Sequence, residues 1–141
     1  HGAGFYRYAN GDRYQGAMSR GEPDGRGRYE AVNGDRVEGW FLSGKPHGRV
    51  VYRFANGDRY EGEMRSGEMR GAGAFYYGTG LRYEGEVVAG HPSGAGTLWF
   101  LDGSRFVGFF DGPLHARGHV VDRGDVRAAA ELRDGVVRFL E

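Results

Sequence analysis

The sequence predicts an all-β fold, an elongated single-layer antiparallel meander of successive β-hairpins. Three observations carry that prediction. A 23-residue period runs through the chain: Tyr14, Val37, Tyr60, Tyr83 and Phe106 open successive units, each followed two residues later by Gly16, Gly39, Gly62, Gly85 and Gly108. A turn signal recurs at Gly11, Gly34, Gly57, Gly80 and Gly103, preceded by Asn10, Asn33, Asn56, Thr79 and Asp102. Between turns, the run VVYRFANGDRYEGEMRSG alternates apolar and polar residues, the period-two pattern of paired strands. Strict 23-residue spacing places 23 of the 28 glycines in five columns, so glycine is positional here rather than filler. A unit of this size cannot bury its own apolar side, and stability comes from stacking units in line.

The units follow in order. Residues 1–13 are a partial repeat, and 14–36, 37–59, 60–82 and 83–105 are full ones. The second full unit departs from the pattern in having Val37 for the opening aromatic and Val50 for a glycine. Residues 106–127 are one residue short, with Gly112-Pro113 in the connecting loop, and 128–141 form a degenerate C-terminal cap. In that worn unit Ala128, Ala130, Leu132 and Gly135 fill the columns of Tyr60, Gly62, Met64 and Gly67. Because the chain opens mid-repeat, it reads as the C-terminal part of a longer array.

Register decides which side chains share a face. A two-residue Asn56-Gly57 loop would pair Arg53 with Tyr60 and split the aromatics between faces. A three-residue Ala55-Asn56-Gly57 loop pairs Tyr52 with Tyr60 and Arg53 with Arg59. A one-residue slip reverses every side chain, so the pairing that gathers the aromatics is the expected one. It corresponds to a type I turn with glycine in the left-handed bulge position.

That register gives one aromatic face. Its candidate partner groove comprises Tyr14, Tyr29, Phe41, Tyr52, Phe54, Tyr60, Met64, Phe75, Tyr77, Tyr83, Leu98, Phe100, Phe106 and Phe110. Packing between neighbouring hairpins is the plainer role for these side chains, and both roles are compatible on a sheet one layer thick. The glycines between them leave bare backbone for a neighbouring hairpin's ring. The opposite face carries an arginine column, Arg13, Arg36, Arg59, Arg82, Arg105 and Arg127, beside Gln15, Glu38, Glu61 and Glu84. It reads as a solvated, mutually satisfied charge ladder. Toward the C-terminus that face turns apolar at Trp99, Val107, Phe109 and Val121. With the tail residues Phe139 and Leu140, these form a candidate homodimer interface; a tail folded back over them is the alternative. Trp40 is a lone apolar residue there and needs no special account.

Composition excludes several classes. The 19 basic and 19 acidic side chains cancel, and Lys45 is the only lysine. That balance suits neither nucleic acid nor strong membrane recruitment, which need clustered basic residues. There is no cysteine for a disulfide or a thiolate metal site, and no apolar run long enough to span a bilayer. His47, His91 and His115 fall in loops, His1 at the chain end and His119 in a strand, without the close ligand spacing of a zinc site. No nucleophile, base and acid converge, so no catalytic residue and no cofactor or metal site is assigned.

The units YQGAMSRGEPDGRGRYEAVNGDR, YEGEMRSGEMRGAGAFYYGTGLR and YEGEVVAGHPSGAGTLWFLDGSR resemble MORN repeats. The likeness extends over nearly the whole chain. It implies a hairpin array acting as a non-catalytic scaffold that binds protein partners, in a cytoplasmic, cytoskeleton-associated or membrane-cortical setting. A phosphoinositide-binding recruitment module is the alternative that the family's name suggests, although the charge balance points to weak or absent lipid binding. A regulatory repeat segment of a larger enzyme is a further one.

Overall fold

A computed structural model describes residues 2–140. Thirteen strands lie in one antiparallel sheet in sequence order. They are β1 (Gly2–Arg7), β2 (Arg13–Ser19), β3 (Glu22–Glu30), β4 (Arg36–Leu42), β5 (Lys45–Arg53), β6 (Arg59–Arg65) and β7 (Glu68–Tyr76). There follow β8 (Arg82–Val88), β9 (His91–Trp99), β10 (Arg105–Asp111), β11 (Ala116–Val121), β12 (Arg127–Arg133) and β13 (Val136–Phe139). The tail does not fold back over the sheet. It pairs with β12 as an edge strand, matching Leu132 with Val137 and Ala130 with Phe139.

The expected register holds: Tyr52 faces Tyr60 and Arg53 faces Arg59. The Phe54 amide donates to Asp58 O at 2.9 Å and the Gly57 amide to Phe54 O at 3.0 Å, closing a three-residue loop. Gly57 has φ +99°, where a side chain would be strained, which is why this column is glycine. The loops between these hairpins are equally tight. Ser66-Gly67, like Arg20-Gly21, Ser43-Gly44, Ala89-Gly90 and Asp134-Gly135, has positive φ at both residues, the geometry of a two-residue type I′ turn.

Each full unit also contains a bulge that the sequence reading did not anticipate. Gly85 pairs with Gly96 and Val87 with Pro92, leaving Ser93, Gly94 and Ala95 opposite Glu86 alone. The Glu86 carboxylate occupies the pocket so made and accepts the Ala95 amide at 2.6 Å; Glu63 does the same for Ala72 at 3.3 Å. In the short unit, β10 and β11 pair without a shift from Arg105–Val121 to Phe110–Ala116. The missing residue has removed the bulge, and Gly112-Pro113-Leu114 replaces the tight turn.

The core lies within the sheet's own aromatic face. Tyr14, Tyr60, Tyr83 and Phe106 are fully buried. Each tyrosine ring lies along its strand over a glycine of the next one. A Cβ on Gly73 would stand 2.5 Å from Tyr60 Cε1, and one on Gly96 would stand 2.3 Å from Tyr83 Oη. The ring thus belongs to the same 23-residue unit as its slot but to the neighbouring hairpin, since Tyr60 lies on β6 and Gly73 on β7, across the Ser66-Gly67 loop. The three hydroxyls donate to the carbonyls of Ala17, Glu63 and Glu86 at 2.7 Å, so the buried polar end is satisfied. Burying such a ring is worth on the order of 2–3 kcal/mol. Packing crosses the intervening strand: Tyr14 meets Phe41 edge-on at 5.1 Å and Tyr83 meets Phe110 at 5.0 Å.

The second full unit confirms the fit by its exception. Val37 replaces the ring, and Val50, in the column of Gly73, fills the slot; the two are 6% and 2% exposed. The departures are one paired substitution. Gly73→Val alone should therefore cost ~2 kcal/mol or more by overpacking against Tyr60, and Gly62→Val or Gly85→Val a similar amount. Tyr60→Val alone should cost ~3 kcal/mol by leaving a cavity. The Tyr60→Val/Gly73→Val double variant, which copies the valine pair, should lose at least ~1 kcal/mol less than the sum of its parts. Urea denaturation midpoints measure this, and strict additivity would show that the ring and slot are not coupled.

Candidate functional site

The fourteen candidate groove residues divide in two. Tyr14, Phe41, Tyr60, Met64, Phe75, Tyr83, Leu98, Phe106 and Phe110 are buried against one another. They form the packed core and present no surface to a partner. Tyr29, Tyr52, Phe54, Tyr77 and Phe100 remain half-buried along the edge of this face that carries the Asn-Gly turns, joined by Tyr8, which the sequence reading left out. Rings pair within this edge, Tyr8 with Tyr29 at 5.6 Å and Tyr52 with Phe54 at 4.5 Å, while Tyr77 stacks on the core ring of Phe75 at 5.8 Å. All of them issue from β1, β3, β5, β7 and β9 or the residue just beyond, so the row advances two strands at a time.

Aspartates of the turns hold this edge in place. Asp12 accepts the Val32 amide at 2.8 Å and the Tyr29 hydroxyl. Asp35 accepts the Ala55 amide at 2.8 Å and the Tyr52 hydroxyl at 2.7 Å, and Asp58 accepts the Gly78 amide at 2.7 Å. Each clamps the turn of the following hairpin. The Tyr29 hydroxyl and the Val32 amide hold the Asp12 carboxyl below its ordinary range. Burial, then the bonded carboxylates, raise the Tyr29 and Tyr52 phenols, and burial with nearby Asp58 raises Tyr77. The signal for this clamp was present as an Asn-Gly-Asp triplet at 10–12, 33–35 and 56–58. Leu81 and Ser104 end the series, and the same edge then becomes a mainly apolar recess of about 640 Å³ lined by Leu81, Phe100, Leu101, Val120, Val137 and Phe139, with Asp102, Ser104 and Asp122 at its polar side.

On the opposite face the candidate dimer patch is not continuous. Val121 is fully buried, flanked in register by Arg105 and Arg127. Trp99 is half-buried with the Arg82 guanidinium 4.1 Å above its ring. Phe139 shares a face with Ala130 and Leu132, so it belongs to the aromatic side and not beside Phe109. Leu140 is exposed just past β13, its amide bonded to Ala129 O at 2.9 Å. What remains is Phe109, 72% exposed, with half-buried Val107. Phe109 occupies the column of Glu63 and Glu86, and without a bulge there is no amide for an acid to accept. Nor is the charge ladder mutually satisfied. Within it, Arg59 reaches Glu61 at 3.3 Å, while Arg13 instead pairs with Glu30 at 2.8 Å.

The remaining candidates are dispersed. Among the described residues no three His, Asp or Glu side chains gather as a metal site. His115 Nε2 lies 3.1 Å from Asp134 Oδ1 at the surface. His1 lies outside the described residues.

Comparison with known proteins accords with this geometry. The MORN repeat pattern matches residues 1–13, 14–36, 38–59, 60–82 and 83–105. No curated protein sequence matches the chain. Among solved structures it is similar to the TCP domain of SAS-4 (dCPAP) from Drosophila melanogaster, determined in complex with a proline-rich motif of Ana2 (dSTIL). That likeness has a TM-score of 0.60 over 98% of this chain and 83% of the other, at 14% identity, and therefore concerns the fold alone.

The buried phenols make stability depend on alkaline pH. Burial, with the neighbouring Glu63 and Glu86 carboxylates, pushes Tyr60 and Tyr83 up to about 12. A phenol raised in the folded state contributes stability that is intact below its unfolded value near 10 and is lost as pH climbs through the folded value. Stability should be level to about pH 9.5 and fall between about pH 10 and 12. Ultraviolet phenolate titration should show part of the tyrosine signal appearing only with unfolding. Complete ionisation near pH 10 with the fold intact would contradict it.

Proposed function

The chain belongs to the MORN-repeat family, and from that premise we propose a non-catalytic scaffold module that binds protein partners as extended segments along the half-exposed aromatic edge. The observation that carries this is a spacing. Rings recur on alternate strands, about 9.6 Å apart at roughly 4.8 Å per strand. A polyproline II helix repeats every three residues at about 3.1 Å each, or about 9.3 Å. An extended proline-bearing segment crossing the strands therefore meets a ring at each turn, the aromatic docking used elsewhere for such peptides. The neighbouring fold's complex with a proline-rich motif supports the same chemistry. We place this scaffold in a cytoskeletal or cortical setting, as the family resemblance implies.

The test is fluorescence anisotropy with a labelled proline-rich decamer. Phe54→Ala/Phe100→Ala removes two half-exposed rings and should weaken binding at least about fivefold, at ~1 kcal/mol or less per aromatic contact. Equal affinity in the variant, with melting unchanged, would remove the aromatic edge as the site.

Self-association through the arginine face is a second reading, favoured by the exposure of Phe109 beside Val107. A two-fold contact would set the same patch against itself in both copies. Sedimentation equilibrium at tens of micromolar should give a dimer for the intact chain and a monomer for Phe109→Glu. A monomeric intact chain ends that reading.

A further inference from the structure

Pairing register aligns one row of side chains across the whole arginine face. From β1 to β12 it reads Arg7, Arg13, Glu30, Arg36, Arg53, Arg59, Tyr76, Arg82, Trp99, Arg105, Val121 and Arg127. Eight of twelve positions are arginine and one is acidic, although the chain as a whole is neutral. Arg36, Arg53 and Arg59 face one another directly on consecutive strands, an arrangement of like charges that destabilises a sheet. Among the described residues, carboxylates reach only Arg13, Arg59 and Arg105 of the row, at 2.8, 3.3 and 3.5 Å. Among the described residues Arg7, Arg36, Arg53 and Arg127 have no acidic partner, and all four are exposed.

We propose that this row is a second binding site, on the face opposite the aromatic edge, that takes an acidic peptide in extended form. Three features select that ligand. The row is one side chain wide. The next row inward, about 7 Å away along the strands, includes Glu38, Glu61 and Glu84 in register with Val51, Ala74 and Thr97. A broad anionic surface such as a bilayer or a duplex covers both rows and meets those glutamates, whereas a single extended chain does not. The aromatic faces are already occupied: the Arg59 and Arg82 guanidiniums lie 4.1 Å over the Tyr76 and Trp99 rings. Base stacking on these two rings is thereby blocked, while guanidiniums held flat turn their in-plane N–H groups toward carboxylates, as Arg59 does toward Glu61. An open recess of about 550 Å³ sits on the N-terminal stretch, walled by Arg7, Arg13, Glu30 and Arg36. The stretch from Arg7 to Arg59 spans roughly 24 Å at about 4.8 Å per strand, the length of seven or eight extended residues.

Anisotropy of a labelled decaglutamate, at low salt and at about 0.15 M, tests the site. The intact chain should bind it with an affinity that falls with salt. Arg36→Gln/Arg53→Gln should weaken binding at least about tenfold, and Arg65→Gln/Arg133→Gln, exposed charges of the same face outside the row, should leave it unchanged. Melting curves of both pairs, expected to fall no lower than the parent's and to rise for Arg36→Gln/Arg53→Gln as the facing like charges are removed, keep the comparison free of unfolding. No binding by the intact chain, or equal loss in the two pairs, overturns the site. Tighter binding of a thymidine decamer or of phosphatidylserine vesicles at the same salt overturns the assignment to an acidic peptide. The outcome is independent of the proline-rich decamer, whose contacts lie on the other face.

Discussion

The contact between a tyrosine ring and a bare glycine backbone is the constraint on which the architecture rests. A single sheet has no second layer to cover its apolar side, so its rings must be buried against the sheet itself. A glycine pair, such as Gly62 and Gly73, removes the side chains that would hold Tyr60 off the backbone. Once the ring lies flat, its hydroxyl reaches the Glu63 carbonyl and the next unit's apolar side chain closes over the surface. The bulge is part of the same solution. It displaces the glycine strand locally and is capped by Glu63 or Glu86, so the YEGE run serves ring, slot and cap together. The Val37–Val50 pair solves the same problem with two medium side chains in place of one large and one absent.

The C-terminal end differs because these devices stop one after another from Leu81 onward. Deleting one residue removes the bulge, which leaves Phe109 where a capping glutamate stood. Loss of the turn aspartate at Leu81 and Ser104 replaces polar clamps with an apolar recess. β13 then ends the sheet as a four-residue strand, short as edge strands commonly are. The regular part of the array thus presents a repeating surface, and the irregular end is locally distinctive.

Division of the two faces follows from register and turn chemistry together. Burial consumed most of the aromatic face, and what it left exposed is confined to the edge beside the Asn-Gly turns, where Asp12, Asp35 and Asp58 hold the rings' neighbours fixed. On the other face, two columns of the repeat alternate along one row, so identical positions of successive units stand in line two strands apart. An arginine that seems interspersed with glutamate in the sequence therefore stands in a file of arginines in space.

The sequence by itself determined the period, the hairpin register around Ala55-Asn56-Gly57, the side-chain parity of β1 to β12 and the family. These are local or strictly periodic properties, and period-two alternation with fixed turn residues encodes them directly. Only the tertiary structure decided how deeply the rings sink, because burial of Tyr60 depends on the backbone of Gly73 on the next strand and on a bulge that no residue announces alone. It also decided that Val121 is covered, that Phe139 belongs to the aromatic face, and that Arg36 lines up with the Arg53–Arg59 pair. Each of these depends on where neighbouring strands sit relative to one another, and spacing along a single strand does not contain that information.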